Sequence, residues 1–175
     1  VTSQNVVVDA TNVVRKNLLG PDEQNVEAAS GGVLQGNAAE SETTIDNTTL
    51  AVIGDADVTV TGDASGVGVL RINSFDDIEG YDDVRLDTGG LIVGSGATST
   101  IVAHTHDHSV IEDGATLTTV GDLDVQTRTR AILNVAPTVH TYGLASAAVM
   151  DSEARVITDS QVLVGEGVHI TAAAA

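Results

Sequence analysis

Short runs in which β-branched apolar residues alternate with polar ones recur along the chain. Val6-Val7-Val8, Asp57-Val58-Thr59-Val60-Thr61, Leu123-Asp124-Val125-Gln126-Thr127 and Val168-His169-Ile170-Thr171 are mostly bounded by Gly, Asp or Asn. Alternation with a period of two predicts strands of about four to six residues. Ser146 to Val156 is rich in Ala and holds the only Met. It has no clean apolar stripe at i, i+3 and i+4, so a loop or strand is expected there rather than a helix.

Laid on itself, the chain shows three segments of equal length: 32–56, 90–114 and 143–167. Gly32, Gly90 and Gly143 open them, followed by Val33, Leu91 and Leu144; Ser41, Ser99 and Ser152 coincide, and Ile53, Ile111 and Val164 lead into Asp55, Asp113 and Glu166. With one residue skipped in the first copy, Thr59, Thr116 and His169 fall into line. From position 32 to 90 is 58 residues and from 90 to 143 is 53, more than one short coil, and a shorter echo links Gly96-Ala97-Thr98 to Gly114-Ala115-Thr116. A lone short strand cannot bury its apolar side, but stacked coils about 4.8 Å apart give each strand neighbours above and below. The expected fold is therefore all-β, a parallel β-solenoid (β-helix) running as one elongated unit over 1–175. An antiparallel β-sandwich is the alternative, since strands with frequent turns also fit it, but it leaves the repeat unexplained.

Composition sharpens this picture. Phe75, Tyr81 and Tyr142 are the only aromatics, which suits a thin core of stacked aliphatic side chains better than a compact globule. Seven basic residues against 25 acidic ones give a formal charge of −18. That excludes nucleic acid as an expected partner, because phosphates are held by Lys and Arg stripes. It also disfavours anionic membrane surfaces. No apolar run approaches the roughly 20 residues of a spanning helix, so no membrane insertion is expected. With no cysteine, disulfides, thiolate zinc sites and cysteine nucleophiles are out of reach.

The runs Ile53-Gly54-Asp55-Ala56-Asp57-Val58-Thr59-Val60-Thr61 and Asp113-Gly114-Ala115-Thr116-Leu117-Thr118-Thr119-Val120-Gly121-Asp122-Leu123-Asp124-Val125 resemble repeats of large exported bacterial surface proteins. Those are the filamentous-haemagglutinin-like proteins and giant repeat adhesins, in which "GA-x-V-T-x-x-G-D-V-x-V" units build β-helical shafts. Ala136-Pro137-Thr138-Val139-His140-Thr141-Tyr142 is a fainter echo. The resemblance covers most of 31–175. It implies an extracellular or bacterial cell-surface location, a structural or adhesive role, and adjacent repeats or other copies of the chain as partners; it transfers no catalytic residue. A start without Met or a signal peptide, and the closing Ala172-Ala173-Ala174-Ala175, suggest a piece of something longer, with the alanines as stand-ins for unassigned residues.

Two clusters are candidates for chemistry. In His104-Thr105-His106-Asp107-His108, alternate residues of a strand share a face, so His104, His106 and His108 are candidate ligands for a transition metal such as zinc or copper. The copies place Asp46, Thr48, Leu50 and Ile157, Asp159, Gln161 at those positions. In Phe75-Asp76-Asp77-Ile78-Glu79-Gly80-Tyr81-Asp82-Asp83-Val84-Arg85-Leu86-Asp87, a tandem [FY]-D-D-[IV] makes Asp76, Asp77, Asp82, Asp83 and Asp87 candidate calcium ligands. Residues 73–88 are then expected as an inserted acidic loop, and a calcium-dependent module binding glycans or host or cell surfaces is the alternative function. The spacing is neither an EF-hand loop nor the calcium-binding nonapeptide. The carboxylate and basic order of β-helical pectin hydrolases is missing, as are G-x-S-x-G, Walker and dinucleotide motifs, so no enzyme is expected. Nor is a continuous Thr face for ice or sugar: Thr98 and Thr100 align with Glu40 and Glu42 in one copy and with Asp151 and Glu153 in the other.

Overall fold

The computed structural model describes residues 1–16 and 24–173. The expectation about the terminal alanines falls in part on residues 174–175, outside that range. Among the described residues the secondary structure is all β: β1 (Thr2–Ser3), β2 (Val6–Lys16), β3 (Val26–Ile53), β4 (Asp57–Val60), β5 (Val69–Ile111), β6 (Thr116–Thr119), β7 (Asp122–Tyr142), β8 (Ala145–Val164) and β9 (His169–Ala172). Every pairing is parallel. A sandwich of antiparallel sheets is thereby set aside.

Three passes of the chain lie side by side. β2 and β3 form the first, β5 the second, β7 and β8 the third, and the short strands β1, β4, β6 and β9 pair in a separate sheet. Gly32 pairs with Gly90, Ile53 with Ile111 and Ile111 with Val164, so the 58- and 53-residue periods of the sequence are the register of the stack. This is the arrangement a parallel β-solenoid requires. The Ala-rich stretch around 146–156 lies within β8. One register departs from the self-alignment: Thr59 pairs with Thr118, not Thr116. The slip is two residues, so side chains keep their face, and Val58 and Val60 stay inward beside Leu117 and Thr119.

Each long pass folds back on itself. In β5, Thr88 bonds Ser95 (2.6 Å), Ser99 bonds Asp82 (2.8 Å) and Ser109 bonds Ser74 (3.2 Å), pairs nested about residues 89–94. The strand therefore forms two facing walls joined by a bend at Gly89-Gly90. Gly90 is required there by close approach, because a Cβ would overlap the carbonyl oxygen of Gly32 in the pass beside it. On the other side, a Cβ at Gly143 would stand 2.5 Å from the carbonyl oxygen of Gly90.

Even-numbered residues of the first wall and odd-numbered ones of the second point inward. The interior alternates apolar and polar belts. Leu70, Ile72, Val60, Ile111 and Leu117 pack at the end next to the short strands; Ile45, Ile78, Ile101 and Ala103 pack midway; Val84, Leu86, Ala39 and Ala97 pack near the bend. Between them lie Ser74, Asp76, Thr105 and Asp107, and then Asp82 and Ser99. Small aliphatic residues suffice because the walls of a flattened coil are one side chain apart. Residues 73–88, expected as an inserted loop, are instead part of β5, paired with β2 and β3 on one side and β7 on the other.

Candidate functional site

Alternation along β5 divides the acidic tandem. Asp76 and Asp82 are buried, while Asp77, Asp83 and Asp87 face outward. Each face supplies its own partners. Asp77 lies between Arg15 of the first pass (2.5 Å) and Arg130 of the third (2.6 Å), and these guanidiniums, Arg15 foremost, hold its carboxyl below the usual range. Asp87 bonds His140 (2.8 Å) and Arg85 (3.0 Å), which lower its carboxyl likewise. Asp83 is pushed upward, first by burial and then by the charge of Asp82. Inside, Asp82 accepts from Lys16 (3.1 Å), Ser41 (2.7 Å) and Ser99 (2.8 Å). The five carboxylates thus stand on two faces of one strand, four of them already bonded to cations or hydroxyls.

His104, His106 and His108 do share the outer face of β5, as alternation predicts. Their partners are carboxylates of neighbouring passes: His104 Nδ1 is 3.4 Å from Asp46, while His106 Nδ1 (3.6 Å) and His108 Nε2 (3.4 Å) both approach Asp159 Oδ2. The Gln161 amide, and after it His108 and His106, hold the Asp159 carboxyl below its usual range. The register places Asp46 beside His104 and Asp159 beside His106, as in the self-alignment. Among the described residues no group of three or more His, Asp or Glu side chains is gathered as a metal ion would need.

One pairing had no signal in sequence spacing. Asp76 and Asp107 meet from opposite walls, each fully buried. Thr49 donates to Asp76 Oδ1 and Thr129 to Asp107 Oδ2. The other oxygen of each carboxyl is buried without a hydrogen-bond partner. Burial first, and then the Asp76 carboxyl facing it, pushes the Asp107 carboxyl up to about 7. Two negative charges in a buried belt without a facing cation cost more than one retained proton. Asp107 stood inside the histidine motif, and the parity that puts His104 and His106 outside puts Asp107 inside.

The last feature is the uncovered flank of the stack. Inward positions that are buried in the second pass, Ala97, Ala103, Ser109 and Ile111, continue in the third as Met150, Val156, Val162 and Val164, which are 57%, 43%, 44% and 55% exposed. Leu163, Val164, Ile111 and Asp113 also line an open depression of about 410 Å³ beside the end of β8. Among the described residues the third pass presents an unpaired backbone edge together with a half-covered apolar interior. No protein-family model, curated protein or solved structure matches the chain.

Proposed function

We propose that this chain is a segment of an extracellular, structural or adhesive β-solenoid, of the kind that long bacterial surface and fibre-forming proteins are built from. The observation that carries this reading is the third pass. Its interior ladder has the right residues, stacked in register, and among the described residues its outer flank is left exposed. An element that ends on exposed Met150, Val162 and Val164 is suited to continuing, whether into a further repeat or another subunit.

The mechanism is mechanical. Parallel backbone hydrogen bonds run along the stack axis, and outer rungs such as Arg15–Asp77–Arg130 tie three passes together on the surface. The net charge of −18 keeps such segments from associating indiscriminately. The reading assigns no catalytic residue. Small-angle scattering tests it: an extended particle with a flat cross-section is expected, and a compact isotropic one overturns it.

A further inference from the structure

Resting on the structural reading above, we infer that the third pass of one copy receives the first pass of a second copy, head to tail and in parallel, as β5 receives β2 and β3 within the molecule. The argument is continuity of the ladders. Asn12, Asp76 and Thr129 stack in one polar rung, Thr49, Asp107 and Ser160 in another, and Ile53, Ile111 and Val164 in an apolar one. A second copy docked in the same register sets Asn12 over Thr129, Thr49 over Ser160 and Ile53 over Val164. On these three rungs polar meets polar and apolar meets apolar, while Lys16 over Leu133 and Ala10 over Thr127 are mixed rungs of the same joint, and Met150 gains cover from Ala39. The two flanks are different surfaces, so the contact is heterologous and propagates into filaments instead of closing as a dimer.

The outer face makes this joint depend on salt. Within the molecule Thr98 and Thr100 separate Glu40 and Glu42 from Asp151 and Glu153. At the joint no threonine intervenes: Asp151 would stand opposite Glu40 and Glu153 opposite Glu42, directly facing like charges that oppose pairing. Arg155, opposite Thr44, is the one cation at that corner. Two copies each carrying −18 add a general repulsion that screening removes.

The test is sedimentation or light scattering of the full chain at about 0.05 M and about 0.5 M salt, which shortens the screening length severalfold. Monomer is expected at low salt, and at high salt a ladder of masses, from twofold upward, that grows with protein concentration. The pair D151N/E153Q should associate at low salt. Met150→Lys on the exposed third pass should block growth while circular dichroism stays native. Ala10→Lys should block the first-pass flank; if it unfolds the chain, Val7→Glu on the same exposed strand replaces it. Mixing the two blocked variants should yield a dimer and nothing longer, since each retains one competent flank. An extended particle that stays monomeric at every salt overturns the joint and leaves the structural reading standing. A closed dimer of the unmodified chain overturns the head-to-tail geometry, and a compact particle overturns both readings.

Discussion

Replacing Asp107 with asparagine isolates the electrostatics of the buried belt. In the native chain the Asp107 carboxyl is raised from an ordinary 3.8 to about 7 by burial and by Asp76. The groups packed around the pair are neutral: Asn12 from β2, Thr49 and Asn47 from β3, Thr129 from β7 and Ser160 from β8. The titratable residues flanking the pair in the chain, Asp77, His106 and His108, sit on the outer face, with Arg130 and Asp159 paired to them there, and Lys16 is engaged with Asp82.

The folded chain therefore keeps a proton that the unfolded chain releases near pH 3.8. Stability from this proton is fully present below that pH, is lost as pH rises to about 7, and is flat above it. At about 1.4 kcal/mol per pH unit the ceiling is roughly 4 kcal/mol, and solvent screening around a stack only three passes thick reduces the expectation to about 2 kcal/mol. The amide of D107N donates to Asp76 and accepts from Thr129 at every pH, so it imitates the protonated carboxyl permanently.

Thermal unfolding of both proteins between about pH 3 and pH 8 is the assay, with the difference between them cancelling the other acids. The curves should meet at the acid end, and the variant should stand about 4–8 °C higher at the alkaline end, at 2–4 °C per kcal/mol for a chain of this size. A difference that does not change with pH, or a variant that is weaker at pH 8, refutes a shared proton between the walls.

Ile78 is fully buried among Ile45, Ile101 and Ala103, so Ile78→Ala should cost about 2–5 kcal/mol in urea unfolding. Ile157→Ala, at a site 40% exposed on the third pass, should cost under about 1 kcal/mol, and equal losses would contradict the belt description. Gly90→Ala drives a methyl into the Gly32 carbonyl and should lower the unfolding midpoint sharply, whereas Gly94→Ala has open space and should be close to neutral; the reverse order would refute the bend. Because Asp76 and Asp82 face away from Asp77, Asp83 and Asp87, calcium should raise the midpoint no more than an equal ionic strength of another salt. A saturating rise specific to calcium would show that these carboxylates regroup around the ion.

The repeat was legible because stacked passes need equivalent residues at equivalent heights. Gly32, Gly90 and Gly143 recur at one height of the stack, where Gly90 and Gly143 have no room for a side chain, and Ser41, Ser99 and Ser152 recur on one inward rung. Parity was legible too: neighbours such as Asp76 and Asp77, or His106 and Asp107, must part to opposite faces of a strand. The acidic run 73–88 nevertheless looked like a loop, since carboxylates usually mark solvent. Here hydroxyls, Lys16 and the opposite wall satisfy the inward ones.

Sequence alone thus determined the strands, their period and which residues share a face, because alternation acts within a few residues and stacked passes repeat it. Only the tertiary structure decided which face is inside, and that Asp76 meets Asp107 across the coil. That choice depends on where a 43-residue strand folds back, and the two walls that face each other belong to segments no local pattern connects.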